Sequence, residues 1–436
     1  MKKTIISMAL LMSAGTIMGQ VDKAALKLAQ KEAKAQMTEA QKIDEAITAK
    51  INEKTATDEE IFAECKKGQA LIRKAIKSGA IAENKLGEAY KISADFALQP
   101  HNIMLKNAID KIPFDTAYFC TNLKAMTDAL QGELKNTKVT KGETGNEKYL
   151  KSKATNLAQC GDYFIYAAQF NNECGKFDKA IESFEIAMNY AKIYPEVADQ
   201  VKLRIPNEQI AYYAYHTAHE AKMYDKMDEL YDLAIQFADG ALGTKQVKVQ
   251  SYLEKGDSAA WANYVREMTI KEPKENEDYV QMLIAYYLKK DKEAGAGSNL
   301  MMQYVDEIIG VDPNILIARY GKGYKLFEQE KYDEAFAEYQ KCTELKSDYY
   351  DAWYQCGLCK YRQGVALNST ISGIKNQVEA KKALEKTKSF FGEAIPFFEK
   401  ARECAPDEPQ KWAYELRQCY DVTGQKEKAA EMDKLL

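Results

Sequence analysis

Apolar side chains recur at intervals of three, four or seven residues along the N-terminal third of the chain. The series runs through Leu26, Ala33, Met37, Ala40, Ile47 and Ile51. This spacing places them on one face of a long helix whose other positions are mostly charged or polar. Thr57, followed three residues later by Glu60, is a capping-box pattern and predicts the start of the next helix. Pro100 and Pro113 are predicted to punctuate further helices, and residues 136–147 are predicted to form a linker.

A repeated pattern of small residues is clearest near the C-terminus. The segment GYKLFEQEKYDEAFAEYQKC, residues 323–342, places small side chains at Gly323, Ala335 and Cys342. A shift of 34 residues brings Gly323 onto Gly357, where a second copy begins. Small side chains at such positions let two paired helices approach closely where they cross. The pattern resembles the tetratricopeptide repeat (TPR), a helix-turn-helix unit of about 34 residues.

Further copies of the pattern vary in how closely they match, and the segment 390–409 is the closest match to a second helix of the repeat. The copies are residues 174–190, 223–238, 255–273, 278–291 with 301–314, 390–409 and 412–436. The resemblance covers roughly residues 155–436 and is most secure over 316–436. It implies an all-α fold, an α-solenoid of tetratricopeptide-like helical hairpins over residues 151–436. Residues 20–150 are a divergent helical N-terminal region, either hairpins stacked on the repeats or a separate helical cap.

One insertion interrupts the strict repeat. Repetition places the counterpart of Ala335 at position 369, but the matching residue is Ala394, which lies 25 positions later (394 − 369). The extra segment, near residues 365–389, is helix-prone and charged in its second half, so it either lengthens two helices or forms a lid. A smaller insertion occupies residues 289–298.

Charge and hydropathy limit the possible environments. The 436 residues include 61 basic and 65 acidic side chains, a net charge of −4, so no overall field attracts nucleic acid or an anionic membrane. Residues 1–19 place two lysines before a short apolar run and then small residues, which predicts a cleavable signal peptide. We expect an exported protein, in the periplasm of a Gram-negative bacterium, with no membrane span and an oligomeric state that the sequence leaves open.

The residues that could carry chemistry do not assemble into a catalytic site. His101, His216 and His219 are the only histidines, and the pair on one helix lacks a third metal ligand. Cys356 and Cys359 resemble a redox motif, but no strand precedes them, so we expect them to be packing groups like most of the nine cysteines. We therefore expect no enzyme, no cofactor and no metal site.

The resemblance also implies a binding surface, because certain positions of each first helix face the concave groove of the solenoid. These positions are occupied by Tyr212, His216, His219, Tyr320, Tyr324, Phe327, Tyr354, Tyr361 and Arg362. Tyrosine combines a large contact area with a hydrogen-bonding tip, which suits recognition surfaces. The implied function is a non-catalytic scaffold that binds a protein or peptide of unknown identity. The alternative is a periplasmic protein that binds a small ligand, either a glycan or a metal ion.

Overall fold

The computed structural model describes residues 18–138, 144–295 and 297–436, and all regular secondary structure in these ranges is helical. The expected all-helical, TPR-like repeat fold is confirmed. The signal peptide predicted at residues 1–19 lies outside the described residues except for the last two. The chain forms two compact units, residues 1–251 and 252–436.

The N-terminal unit is built from antiparallel helical hairpins. Its helices are α1 (Met18–Asn52), α2 (Asp58–Lys77), α3 (Glu83–Ile109), α4 (Thr116–Asn136), α5 (Thr144–Glu173), α6 (Phe177–Met188), α7 (Tyr190–Ile193), α8 (Asn207–Glu220), α9 (Tyr224–Ala234) and α10 (Ala241–Glu254), which runs three residues past the boundary. Short 3₁₀ helices occupy Pro195–Gln200 and Ala238–Gly240. The division at residues 150/151 into a divergent region and repeats stays a prediction, because α5 runs through it without a break.

The C-terminal unit is also built from paired helices. Its helices are α11 (Ser258–Lys271), α12 (Glu277–Ala294), α13 (Leu300–Val311), α14 (Leu316–Glu328), α15 (Tyr332–Leu345), α16 (Tyr350–Ile371), α17 (Gln377–Cys404), α18 (Ala413–Thr423) and α19 (Lys426–Asp433), with a 3₁₀ turn at Pro409–Lys411. The insertion predicted near residues 365–389 forms the end of α16, the following turn and the start of α17. It therefore lengthens this hairpin.

The turn between paired helices has one recurring geometry. A residue in the left-handed region stands two positions before the second helix of four hairpins, at Gly175, Lys222, Glu330 and Gly424. Glycine adopts this conformation without strain, whereas Lys222 and Glu330 each pay about 1 kcal/mol. A shared turn in hairpins of dissimilar sequence is a physical mark of the repeat.

The small positions of the repeat pack as the pattern predicts. A β-carbon built on Gly323 would lie 2.8 Å from the Tyr339 ring, and one on Gly357 would lie 2.8 Å from the Phe398 ring. Ala335 is completely buried. An aromatic ring of the second helix therefore rests directly on the backbone of the first helix in both hairpins.

Of the helix-end predictions in the N-terminal region, one is wrong. Thr57 and Glu60 form the capping box, because the Glu60 backbone N–H donates to Thr57 Oγ1 and the Thr57 N–H donates to the Glu60 carboxylate. Pro113 lies between α3 and α4 as predicted. Pro100 does not end a helix, since α3 continues through it. Its ring is buried, and buried residues such as Phe96 and Met104 hold the helix on both sides of the missing N–H.

Residues 190–206 form a connection that the repeat pattern does not predict. After α6 the chain passes through α7, a 3₁₀ helix and an extended stretch before α8 begins. The Tyr190 hydroxyl donates to the Leu157 carbonyl at 2.7 Å, and the Tyr194 hydroxyl bonds Thr127 Oγ1 at 2.9 Å. Two buried tyrosines thus fasten this connection onto α4 and α5.

Most cysteines are packing groups, as expected. Cys65, Cys160, Cys342, Cys356, Cys359 and Cys419 are buried, Cys120 and Cys404 are half-buried, and Cys174 is exposed. Burial raises the pKa of the Cys359 thiol to about 12, which disfavours the thiolate that redox chemistry requires.

Candidate functional site

The expected groove residues of α14 divide into packed and accessible side chains. The Tyr320 ring is half-buried, with centroid distances of 5.4 Å to Tyr339 and 5.5 Å to Tyr349. Phe327 packs edge-on against Tyr332 at 5.3 Å. Tyr324 is 39% exposed. Tyr324 is therefore the most exposed of these three side chains.

Tyr324 is held in one orientation by its own helix. Its hydroxyl donates to Glu328 Oε1 at 2.9 Å, one turn further along α14. This hydrogen bond to Glu328 and partial burial raise the pKa of the Tyr324 hydroxyl. A fixed aromatic side chain loses little conformational entropy on binding a partner.

The two expected tyrosines of α16 hold neighbouring helices together. The Tyr354 ring lies 5.5 Å from Phe398 of α17 and stacks on Tyr350 at 5.8 Å. The Tyr361 ring lies 5.3 Å from Phe391, and its hydroxyl donates to Gln418 Oε1 of α18. Truncation of either ring would disturb the hairpin as well as any surface that it forms.

Arg362 is the accessible charge on the same helix. It is exposed and forms no ion pair within the described ranges. Burial raises the pKa of Tyr332 and Tyr361, and the nearby Arg362 guanidinium opposes both shifts. An unpaired guanidinium bordered by tyrosine hydroxyls is suited to bind a carboxylate or another hydrogen-bond acceptor.

Two exposed apolar side chains on other first helices of the C-terminal unit were not among the expected residues. Tyr414 of α18 and Met282 of α12 are both exposed. The buried face of α18 comprises Ala413, Leu416, Cys419 and Tyr420. Tyr414 falls outside that periodic face, and this was the sequence signal that it faces solvent.

The three expected residues of the N-terminal unit lie together on α8. The Tyr212 ring is 4.4 Å from His216 and 5.4 Å from Phe237, and it packs so closely on Gly240 that an added β-carbon would lie 2.5 Å away. Burial lowers the pKa of His216, and the neighbouring His219 lowers it further. Among the residues that the structure describes, no group of three or more His, Cys, Asp or Glu side chains is placed to hold a metal ion.

Comparison with known proteins identifies the repeat. A family model described as "TPR repeat" matches residues 323–364, the segment that contains Tyr324 and Arg362. This part of the chain is a TPR repeat. No curated protein matches the chain. In the described part of the chain, no helix is long and apolar enough to cross a membrane.

Several solved structures match the chain at low sequence identity. A TPR repeats protein from Bacteroides fragilis NCTC 9343 is 15% identical, with a TM-score of 0.30 over 63% of this chain and 99% of that one. YrrB, described as a TPR protein with an unusual peptide-binding site, is 16% identical, with a TM-score of 0.21 over 61% and 95%. A monomeric mutant of IFIT1 with Gppp-AAAA is 16% identical, with a TM-score of 0.33 over 81% and 72%. At these TM-scores the similarity carries no inference about binding.

A buried charge cluster in the N-terminal unit joins four helices. The Asp95 carboxylate accepts hydrogen bonds from Lys91 at 2.9 Å and from Lys153 at 3.1 Å. The Tyr149 hydroxyl donates to Glu133 Oε1 at 2.6 Å, while Glu133 Oε2 lies 3.9 Å from Lys153 Nζ. Sequence periodicity did not reveal this cluster, because its members stand far apart in the chain and each could belong to a solvated helix face.

The fourth helix contributes Asp44, which makes the cluster sensitive to pH. Burial, and then the nearby Asp95 carboxylate, raises the pKa of Asp44 to about 6, while Lys91 and Lys153 oppose the rise. Glu45 on the same helix adds to it, and the Cys65 thiol of α2 is the remaining titratable neighbour. A carboxyl whose folded pKa lies above its unfolded value stabilises the fold when it is protonated. That contribution is complete below about pH 4 and is lost as the pH rises through 6.

The Asp44→Asn variant is therefore expected to be more stable than the wild type at pH 7.5. Its free energy of unfolding should be about 1–2 kcal/mol higher. At pH 5 the gain should shrink. Urea unfolding followed by circular dichroism at both pH values measures the difference. Because variant and wild type are compared at the same pH, the effects of other titrating groups such as His101 on stability cancel. The matched control is Glu39→Gln, which changes an exposed carboxyl five residues earlier on the same helix. An equal gain from both variants, or one independent of pH, would contradict the assignment.

Proposed function

We propose that this protein is an exported, non-catalytic scaffold that binds a protein or peptide segment on the first helices of its C-terminal unit. TPR repeat proteins commonly bind proteins or peptides and are typically non-catalytic. The observation that carries the proposal is the pair Tyr324 and Arg362, exposed on successive first helices α14 and α16 within the matched repeat. Tyrosine and arginine are among the side chains that most often dominate the binding energy of an interface.

The packed tyrosines have a supporting role in this proposal. The rings of Tyr354 and Tyr361 pack α16 against α17, and the Tyr320 ring packs α14 against Tyr349, the residue before α16. The Tyr361 hydroxyl also bonds Gln418 of α18. The polar edges of the three rings remain half-exposed on the same helices. A partner would contact Tyr324 and Arg362 directly and the edges of these rings secondarily. The surface formed by Tyr212, His216 and His219 on α8 is proposed as a second contact region.

The double variant Tyr324→Ala/Arg362→Ala is expected to lower affinity for the partner at least ten-fold, since truncation of each central anchor commonly costs 1–2 kcal/mol or more. Bacterial envelope extract is passed over immobilised wild-type and variant protein, retained proteins are identified by mass spectrometry, and the affinity of each is measured with purified components. Circular dichroism should show unchanged helix content, because neither side chain is buried.

The matched control is Tyr166→Ala/Arg204→Ala in the N-terminal unit. Tyr166 is exposed, and Arg204 donates a hydrogen bond to its hydroxyl at 3.2 Å. The control removes the same two residue types from a different surface and should retain the partner. If the partner binds all three proteins with equal affinity, the α14–α16 surface is not the site. Retention of no protein, with measurable binding of a glycan or Zn²⁺, would favour the small-ligand alternative.

Export is the second part of the proposal and rests on the signal-like pattern of residues 1–19. Expression of the full chain in a Gram-negative host, followed by fractionation and N-terminal sequencing, tests it. The expected mature protein is periplasmic and begins near Gln20. Recovery of uncleaved protein from the cytoplasm alone would contradict it.

A further inference from the structure

The hairpin of α16 and α17 extends well beyond its neighbours in the C-terminal unit. Helix α16 has 22 residues against 13 in α14, and the two helices start one repeat apart, so the excess of about nine residues lies at the far end of α16. At 1.5 Å per residue this is an overhang of roughly 13 Å. None of residues 365–386 is buried, so no other described element covers this end of the hairpin. We call residues 365–389 the hairpin tip.

The hairpin tip carries a concentrated positive charge in an otherwise acidic protein. It contains the lysines Lys375, Lys381, Lys382, Lys386 and Lys388 against the glutamates Glu379 and Glu385, a net charge of +3. The whole chain has a net charge of −4, so the remainder carries −7 (−4 minus +3). None of the five lysines forms an ion pair within the described residues. Lys386 lies 5.6 Å from the centre of the Phe390 ring, a contact that leaves its charge unneutralised. The charges of all five lysines are therefore available to a partner.

The tip also exposes aliphatic side chains at its leading end. Val378, in the first turn of α17, is 64% exposed, and Ile371 and Ile374 border the turn half-exposed. Asn376 fixes this turn, because its side chain accepts hydrogen bonds from the backbone N–H groups of Val378 and Glu379. The arrangement places these apolar groups and Lys375 at the apex, with the other four lysines behind them on α17.

The lysines lie on both flanks of α17 rather than on one. At 100° per residue, Lys381 and Lys388 fall on one side of Val378, and Lys382 and Lys386 fall on the other. A flat acidic protein surface would contact one flank. Anionic headgroups around an apex that enters a bilayer would meet both.

We propose that the hairpin tip docks end-on onto an anionic lipid surface, with Val378 and the isoleucines entering the headgroup region and the lysines contacting lipid phosphates. Each lysine near such a surface contributes roughly a five-fold factor in affinity. The overhang of roughly 13 Å exceeds the Debye length of about 8 Å at physiological ionic strength, so the acidic remainder of the protein opposes the approach only weakly. The resulting interaction is reversible and sensitive to salt.

Co-sedimentation with vesicles tests the proposal with the full-length mature protein. The probes are vesicles of phosphatidylcholine alone and of phosphatidylcholine with phosphatidylglycerol in a two-to-one ratio, at about 0.05 M and about 0.5 M salt. The wild type should bind only the anionic vesicles, and only at low salt. The variant Lys381→Glu/Lys382→Glu/Lys386→Glu should bind at least ten-fold more weakly. All three side chains are exposed, so helix content should not change.

The control variant makes the same change in net charge elsewhere. Lys23→Glu/Lys27→Glu/Lys31→Glu alters three exposed lysines of α1. The control should retain vesicle binding, which would assign the effect to the hairpin tip. Equal loss in both variants would overturn the proposal in favour of bulk charge. Absence of wild-type binding to anionic vesicles would also overturn it, and binding of a polyglutamate peptide by the same protein would then indicate an acidic protein partner.

Discussion

Replacement of Lys153 by methionine is expected to lower the free energy of unfolding of the N-terminal unit by about 3–5 kcal/mol. Lys153 is only 8% exposed, and its ammonium group lies between the Asp95 and Glu133 carboxylates, at 3.1 Å and 3.9 Å. Removal of the ammonium leaves two carboxylates without their shared cation. Glu133 is the more affected group because it is almost fully buried, whereas an ion pair exposed to water would be worth no more than about 1 kcal/mol.

Lys91→Met is the matched control for this prediction. Lys91 bonds the same Asp95 carboxylate at 2.9 Å but is half-exposed, so its loss should cost less than about 1 kcal/mol. Urea unfolding followed by circular dichroism measures both variants. Similar costs for the two would show that burial does not determine the strength of this cluster. A reduced cost of Lys153→Met in a Glu133→Gln background would identify Glu133 as the residue left unpaired.

The repeat was predictable because its physical cause is local. Gly323 and Gly357 stand one period of 34 residues apart, and Ala335 and Cys342 occupy the other small positions of the first copy. Each lies where an aromatic ring or a second helix must approach the backbone. The fate of Pro100 was not predictable from the same kind of signal. A proline inside a helix is tolerated when packing on both sides compensates for the lost hydrogen bond, and that packing comes from residues distant in sequence.

The candidate site was predictable in part, because the position of a residue within the repeat is also a local property of the sequence. Position within the repeat identified the helices α14 and α16 and the accessible residues Tyr324 and Arg362. It did not separate them from Tyr354 and Tyr361, because that distinction depends on how far α17 and α18 reach toward the same surface. The insertion at residues 365–389 sets the length of α17, and its effect on packing appears only in three dimensions.

Gly357→Val is expected to lower the free energy of unfolding of the C-terminal unit by about 3 kcal/mol. A β-carbon at this position lies 2.8 Å from Phe398 Cδ1, and the two γ-carbons of valine add to the overlap. Phe398 cannot withdraw easily, since it is fully buried and contacts both Tyr354 and Tyr361. Thermal and urea unfolding followed by circular dichroism measure the loss. Gly310→Val is the control, because nothing lies within 4 Å of an added β-carbon there, and its effect should stay within about 0.5 kcal/mol.

A double-mutant cycle distinguishes this overlap from a general intolerance of valine in the helix. Phe398→Leu removes part of the ring that faces Gly357 and should by itself cost about 1–2 kcal/mol. In that background Gly357→Val should cost at least about 1 kcal/mol less than in the wild type, because the space it requires is already open. Additive costs would mean that the ring of Phe398 is not what demands glycine at this position. The coupling would tie the small position of the repeat to the aromatic layer that also positions Tyr354 and Tyr361 beside the proposed binding surface.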